Sequence, residues 1–426
     1  MDYKHLFIIV IFLAGCATYQ GKVEKARQLL GQHQSDQALG ILEPLAKTKN
    51  DDQLVYLFDY ATALQASGRY KESNTYFLEA DRLSDLKNYL SVTRFGGSLL
   101  LSEEFTQYKG EDYERLLINV MASLNYLMLN DRESALVEIR RLNEKLEYYR
   151  IEQKKQYEQN TAALYISALL WEAEKNWDSA YIDYERAYKR DPNIGYIRED
   201  LVRAARKAGR NEKANEWSKK FGIKQRPEWS DKNMGELVLI YQQGWGPRKA
   251  ERPRVVTSVG LVSPGFPMLQ PVRTNTRRAR IEIVEAQKGN IPAGSPVLYA
   301  EDTQFIYSVQ ETSIKTLEDA YGPLIAKRIA AFVAKEAAAN AVGNKNETLG
   351  AIMKIAMHVA DRADLRQWST LPETFQVAKI YMRPGKYSVN VRGLFDTGQY
   401  SGEDMQTREI EIQANQKTFI NWRSFR

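Results

Sequence analysis

Few residues in this chain of 426 are of types that do chemistry. Histidine occurs only at His5, His33 and His358, with no ligand spacing among them. His358 sits beside Met357, Val359 and Ala360 in a helical pattern, where a structural place suits it better than metal ligation. There is no HExxH, no GxSxG and no Ser-x-x-Lys set with its partners. The stretch GNKNETLG (Gly343 to Gly350) holds glycines, Lys345 and Thr348. It lacks the Gly-Lys-Thr adjacency that cradles phosphate and follows a helix rather than a strand, so it reads as a joining loop. Carboxylates pair at Glu103 and Glu104, Glu111 and Asp112, and Glu403 and Asp404. Adjacent acids usually mark caps and loops, and sequence spacing does not set the separation that paired acid–base chemistry needs. No catalytic residue, metal site or cofactor is expected. Three positions remain. Arg366 and Trp368 in RADLRQWSTLPETF combine a cation with an aromatic, as a contact patch does. The competing reading has Trp368 covering the junction where a helical hairpin returns to a sheet. Cys16 is the one cysteine.

The element before Cys16 gives it meaning. Leu6 to Ala14 is apolar, follows Lys4 and falls short of the roughly 20 residues a spanning helix needs. A positive charge, an apolar run and then small residues form an export signal. LAGC, Leu13 to Cys16, resembles the lipobox of bacterial lipoproteins. The resemblance implies that residues 1–15 are removed before Cys16. It also implies that the thiol carries a diacylglycerol and the new amine an acyl chain such as palmitate. One chain holds a protein reversibly, whereas two or three hold it stably. Ala17 in place of Asp implies the outer membrane, with the protein facing the periplasm. A lipidated Cys16 leaves no thiol for a disulfide or a thiolate metal site.

The elements behind this anchor begin with repeats. In LFDYATALQASGRYKESNTYFLEADRL, Leu57, Ala61 and Leu64 share a helical face. Gly68 and Tyr70 mark a turn, and Ser73, Phe77 and Ala80 share a second face. LYISALLWEAEKNWDSAYIDYERAYKRDP fills the same offsets with Leu164, Ala168, Trp171, Lys175, Trp177, Ala180, Tyr184 and Ala187, and Pro192 ends the helix. Small residues sit where paired helices touch and aromatics fill the gaps beside them. The pattern resembles the tetratricopeptide repeat (TPR), which implies a solenoid able to bind a peptide or partner helix. Ala38, Ser73, Ala135, Ala180 and Ala214 take the second-helix small position. The first and last of the steps between them fit a period of about 34; the two middle ones are longer, so the array is interrupted.

After IKQRPEWSDKN the period changes. ELVLIYQQG, RIEIVEA, PVLYA, QFIYSV, FQVAKIYM, KYSVNVRG, REIEIQ and KTFINWR read as strands, and RVVTSVGLV as at most one more. MRPGKY suggests a type II turn. Alanine-rich helical patterns with Ile325, Ile329, Val333, Ala337 and Ala341 on one stripe interrupt the strands as a hairpin at about 314–364. The expected architecture is α+β: a signal at 1–15, a TPR-like domain at 16–228, and a β-sandwich-like domain at 229–426 with the hairpin inserted. KGEDYERLLINVMASLNYLMLNDRESALVEIRRLNEKL, GELVLIYQQGWGP and ADLRQWSTLPETFQVAKIYMRPGKY together resemble an uncharacterised family of bacterial outer-membrane lipoproteins with this architecture. That likeness implies an envelope location and brings no assigned activity.

The net charge of +6 is small for this length and argues against nucleic acid. Arg248, Lys249, Arg252, Arg254, Arg273, Arg277, Arg278 and Arg280 are concentrated in one segment, either as solvated loop charge or as a surface for anionic headgroups or an acidic partner. The expected function is a membrane-anchored, non-catalytic scaffold or assembly factor that binds an envelope protein or peptide. The alternatives are an adaptor or activator of peptidoglycan machinery and a hydrolase.

Overall fold

The computed structural model describes residues 19–93, 108–151, 160–253, 265–286, 295–349 and 363–426. Cys16, the signal segment, Glu103, Glu104, RVVTSVGLV and nearly all of the second arm of the expected hairpin lie outside them.

The first half forms ten helices among the described residues, paired as five antiparallel hairpins. They are α1 (Tyr19–Gly31) with α2 (Ser35–Lys47), α3 (Gln53–Ala66) with α4 (Tyr70–Thr93), and α5 (Asp112–Met128) with α6 (Arg132–Ile151). Two more pairs follow, α7 (Thr161–Ala173) with α8 (Trp177–Arg190) and α9 (Ile197–Lys207) with α10 (Asn211–Phe221). One turn closes every pair. His33, Gly68, Asn130, Lys175 and Gly209 all have φ between 57° and 75°. At each, the N–H donates three residues back, and the next N–H reaches over it to the residue five before, as in Arg69 N to Leu64 O and Asn176 N to Trp171 O. The two glycines take this left-handed conformation without steric cost, whereas His33, Asn130 and Lys175 do so at about 1 kcal/mol each. Each turn residue stands five positions before Ala38, Ser73, Ala135, Ala180 or Ala214, all fully buried. The hairpin is therefore the constant unit, and the irregular steps arise between hairpins. There the 24-residue α4 and the 20-residue α6 overrun a normal repeat.

Among the described residues, the second half holds two four-stranded sheets. In sheet 1 the order is β10 (Lys417–Arg423), β1 (Gly235–Gln243), β7 (Thr374–Met382), β6 (Gln304–Ser308). In sheet 2 it is β5 (Tyr299–Asp302), β4 (Arg278–Glu285), β8 (Gly385–Leu394), β9 (Tyr400–Ile412). A small ladder joins β2 (Arg248–Glu251) to β3 (Pro267–Gln270). All pairings are antiparallel except β1 with β10. The β7–β8 connection is not the expected type II turn: only Arg383 and Pro384 lie between the strands, and Gly385, whose φ of 157° is far from the roughly 80° that turn requires, already belongs to β8.

Alternation on β1 explains the layering. Leu237, Leu239 and Tyr241 pack with Ile281, Ile283, Val389 and Val391 in the core between the sheets. Val238 and Ile240 face the other way and join a core continuous with the helices. All nine residues of β1 are buried, because sheet 1 is sandwiched between sheet 2 and the helical array. The two halves thus share a hydrophobic core. Following β6, α11 (Val309–Gly343) runs 35 residues without a break at Gly322. Ala337 and Ala341, expected on a packed stripe, are exposed there, while Ala339 is buried.

Candidate functional site

In a TPR-like array the first helices line the concave face. Here α3 is buried from Leu54 to Gln65 and α5 from Tyr113 to Asn125. Residues 364–373, which lead into β7, fill that face. Trp368 is 2% exposed and stacks on Phe58 with ring centres 4.5 Å apart, and it tilts against Phe77 at 5.6 Å. Its indole N–H donates to Thr62 Oγ1 at 2.9 Å, and its backbone N–H donates to Glu114 Oε1 at 2.6 Å. Ser369 Oγ donates to Asp59 Oδ2 at 2.8 Å. The N–H and Oγ1 of Thr370 donate to Oδ1 at 3.0 and 2.9 Å. Tyr19 O–H donates to the same carboxylate. Arg366 pairs with Asp364 at 2.8 Å and lies over the Tyr108 ring at 5.5 Å. Arg366 and Trp368 are therefore no surface contact patch. Both are buried, because the segment that carries them is itself the occupant of the repeat groove.

The carboxylates at this seam feel the burial. Desolvation raises Asp59 against the pull of its donors Tyr19, Ser369 and Thr370. It also raises Glu114 to about 7, with repulsion from Glu111 adding and Lys249, the Trp368 N–H and Tyr108 opposing. Lys249 is buried; desolvation lowers it, but attraction from Glu111, Asp364 and Glu114 leaves it raised. Its Nζ lies 2.5 Å from Glu111 Oε1.

A second seam, between α7 and α9 and sheet 1, is ionic. Arg203, Lys379 and Lys417 meet Glu172, Asp200 and Glu236, and Glu172, Arg203, Glu236 and Lys417 border a small cavity of about 70 Å³. Arg203 lies 2.7 Å from both Glu172 and Asp200 and 3.6 Å from Glu236. Lys417 lies 2.9 Å from Glu172 and also pairs with Glu236, while Lys379 pairs with Asp200. Three cations balance three anions. Desolvation pushes Glu236 up, but Lys417, Arg203 and Lys379 outweigh it and hold the carboxyl at about 2. Lys379 is lowered by burial and by the like charges of Arg203 and Lys417, against the pull of Asp200 and Glu236.

The other sequence candidates serve the framework. Ala61, Ala80, Ala168, Ala180, Tyr184 and Ala187 are fully buried at helix contacts. Gly68 makes the α3–α4 turn, and half-buried Tyr70 and Trp177 open α4 and α8. Pro192 is exposed just past the end of α8. His33 is a turn residue. Glu111 and Glu114 form the capping box of α5, and Glu403 accepts from Ser424 Oγ at 2.8 Å. The basic segment is largely committed. Arg248 pairs with Glu24 at 2.6 Å, Arg277 with Glu373 at 3.0 Å and Arg280 with Asp302 at 2.6 Å, while Arg252 covers the Tyr321 ring at 4.5 Å. Among the described residues, no group of three or more His, Cys, Asp and Glu can hold a metal ion. No described helix is long and apolar enough to cross a membrane.

A wide groove of about 1020 Å³ opens on the second-helix side. Leu78, Asp81, Arg82 and Asp85 of α4 and Arg141, Glu144, Lys145, Tyr148 and Tyr149 of α6 wall it, with Arg115 of α5 between them. The groove went unforeseen in the sequence, although the longer step between these hairpins marks the place.

No protein-family model and no curated sequence matches the chain. Among solved structures, the chain is similar to a kinesin-light-chain-like protein of Podosopora anserina with nearly identical TPR-like repeats. That match has 14% identity and a TM-score of 0.33, and it covers 47% of this chain and 91% of that one. It is also similar to MamA of Desulfovibrio magneticus RS-1, with 13% identity, a TM-score of 0.31 and coverage of 47% and 88%. A third is BtubC of P. vanneervenii, with 15% identity, a TM-score of 0.29 and coverage of 49% and 79%.

Proposed function

We propose that the chain is a non-catalytic interaction scaffold or assembly factor of the bacterial envelope, lipid-anchored at Cys16 to the periplasmic side of the outer membrane. The LAGC motif behind its apolar run supports the anchor. The distribution of free surface supports the scaffold role. The chain's own C-terminal half occupies the first-helix face, while among the described residues the groove between α4 and α6 is open on the opposite side. A partner protein would therefore meet the second helices. That groove mixes tyrosine, arginine and lysine with carboxylates, a composition suited to a polar peptide or helix.

Crosslinking and capture from detergent-solubilised envelopes test this reading, comparing the parent chain with the double variant Arg82→Glu, Tyr148→Ala. The parent should retain a partner that the variant loses, while a thermal melt shows both equally folded. A partner retained equally by both would move the contact elsewhere. No partner above a control lacking the array would sink the scaffold reading.

A further inference from the structure

The start of α1 is fixed into the body of the protein with almost no slack before it. Tyr19 is 4% exposed, its hydroxyl donates to Asp59 of α3, and its ring lies 5.5 Å from Tyr56. Gln20 Nε2 donates to Lys249 O of β2 at 2.7 Å and to Leu365 O of the groove-filling segment at 3.2 Å. Glu24, one turn on, pairs with Arg248 at 2.6 Å. Three separate parts of the chain therefore hold the first turn of α1. Only Ala17 and Thr18 lie between Tyr19 and Cys16. Three virtual bonds of 3.8 Å allow a reach of roughly 11 Å at full extension.

We infer that this face of the molecule, centred on the first turns of α1, is pressed against a phospholipid surface, with the anchor acting as a rigid mount. The inference rests on lipidation of Cys16. Acyl chains sit in the hydrocarbon layer, and a headgroup region of several ångströms lies above it, so a reach of about 11 Å places Tyr19 at that region. What α1 presents outward fits such a neighbour. Gly21, Lys22, Lys25 and Gln28 are exposed, and they fall on one side of the helix at spacings of three and four. Two of the four are lysines, which match anionic headgroups. The far end of the array, α10, is separated from α1 by the stacked hairpins between them and has no such constraint.

The full-length lipidated chain, reconstituted into vesicles of phosphatidylethanolamine and phosphatidylglycerol, tests the inference. Lipidation consumes the only native thiol, so a cysteine placed at Lys22, Lys25 or Lys219 carries a fluorophore without competition. Lys219 is exposed on α10. Lipids bearing a nitroxide at the headgroup should quench labels on Lys22→Cys and Lys25→Cys roughly threefold or more beyond Lys219→Cys, given a standoff limited to about 11 Å. Inserting about 20 Gly and Ser residues between Ala17 and Thr18, which span roughly 25 Å, should bring all three labels to the low level of Lys219→Cys. Equal quenching at the three positions in a chain that does carry lipid overturns the apposition alone. A chain that carries no lipid and fails to float with vesicles overturns the anchor and the apposition together.

Discussion

The helical array meets the sheet domain along two seams built from opposite chemistry. At the first, a tryptophan stacks into an aromatic slot, and buried carboxylates accept hydrogen bonds from neutral groups. At the second, six charged side chains neutralise one another beside β1. The Trp368 seam draws on apolar burial and shape, which stabilise in proportion to the area covered. In the ionic seam, attraction mainly offsets the cost of taking charge out of water. The first seam should therefore carry most of the adhesion between the halves, and the second should penalise any misaligned docking.

The largest effect that would break this contrast is at Trp368. Trp368→Ala leaves a cavity beside Phe58 and removes the indole donor from Thr62 Oγ1, which keeps only its own bond to Phe58 O, at a cost of about 3–5 kcal/mol in urea unfolding. A loss below about 1 kcal/mol would mean that the groove binds its occupant weakly. Next comes Lys417→Met, which leaves Glu236 only its longer contact with Arg203 and weakens the hold on Glu172, costing about 3 kcal/mol. Adding Glu236→Leu leaves Arg203 and Lys379 matched against Glu172 and Asp200, and stability should return to within about 1 kcal/mol of the parent. Purely additive losses would contradict a balanced cluster.

The smallest effect is in pH, and the seams should respond with opposite signs. Glu114 has its folded value raised to about 7, so the folded state binds the extra proton between 4.5 and 7. Stability from this group is full below 4.5 and declines on the order of 2 kcal/mol from pH 5 to pH 7. Glu236 is lowered, so its contribution is present above 4.5 and lost as pH falls toward about 2. Melts of Glu114→Gln should lose the decline between pH 5 and 7, and melts of Glu236→Gln should lose the acid-side fall. The same slope in both variants and the parent would assign the pH dependence to other groups.

How much of this was readable from sequence follows the range of the contacts. The repeats were readable because each hairpin closes locally: a left-handed turn residue, then a small residue five positions later. The docking was not, because Trp368 meets Thr62 and Glu114 from 306 and 254 residues away, and one sequence does not pair such positions. A signal was present all the same. QLVYLFDYATALQ is apolar on every side and all but its first residue is buried, and a helix of that kind is covered all round. GELVLIYQQ, a run without clean alternation, marked a strand buried on both faces. Reading Arg366 and Trp368 as a candidate contact patch recognised the right chemistry but placed the partner outside the chain. Cys16 lies outside the described residues, and the sequence alone speaks for it.

The parallel pairing of β10 with β1 also sets a timetable. Glu236 stands opposite Lys417, so 181 positions must be made before this register can form. A chain that emerges N-terminus first can close its hairpins one by one as each leaves the ribosome. Sheet 1 cannot gain β10, nor can Glu172 and Glu236 gain Lys417, until β10 itself has been made. By then residues 364–373, made earlier, can already cover the first helices, so β10 completes sheet 1 and the ionic seam rather than the groove. The pairing of β10 with β1 is thus the last of the sheet 1 ladders to close.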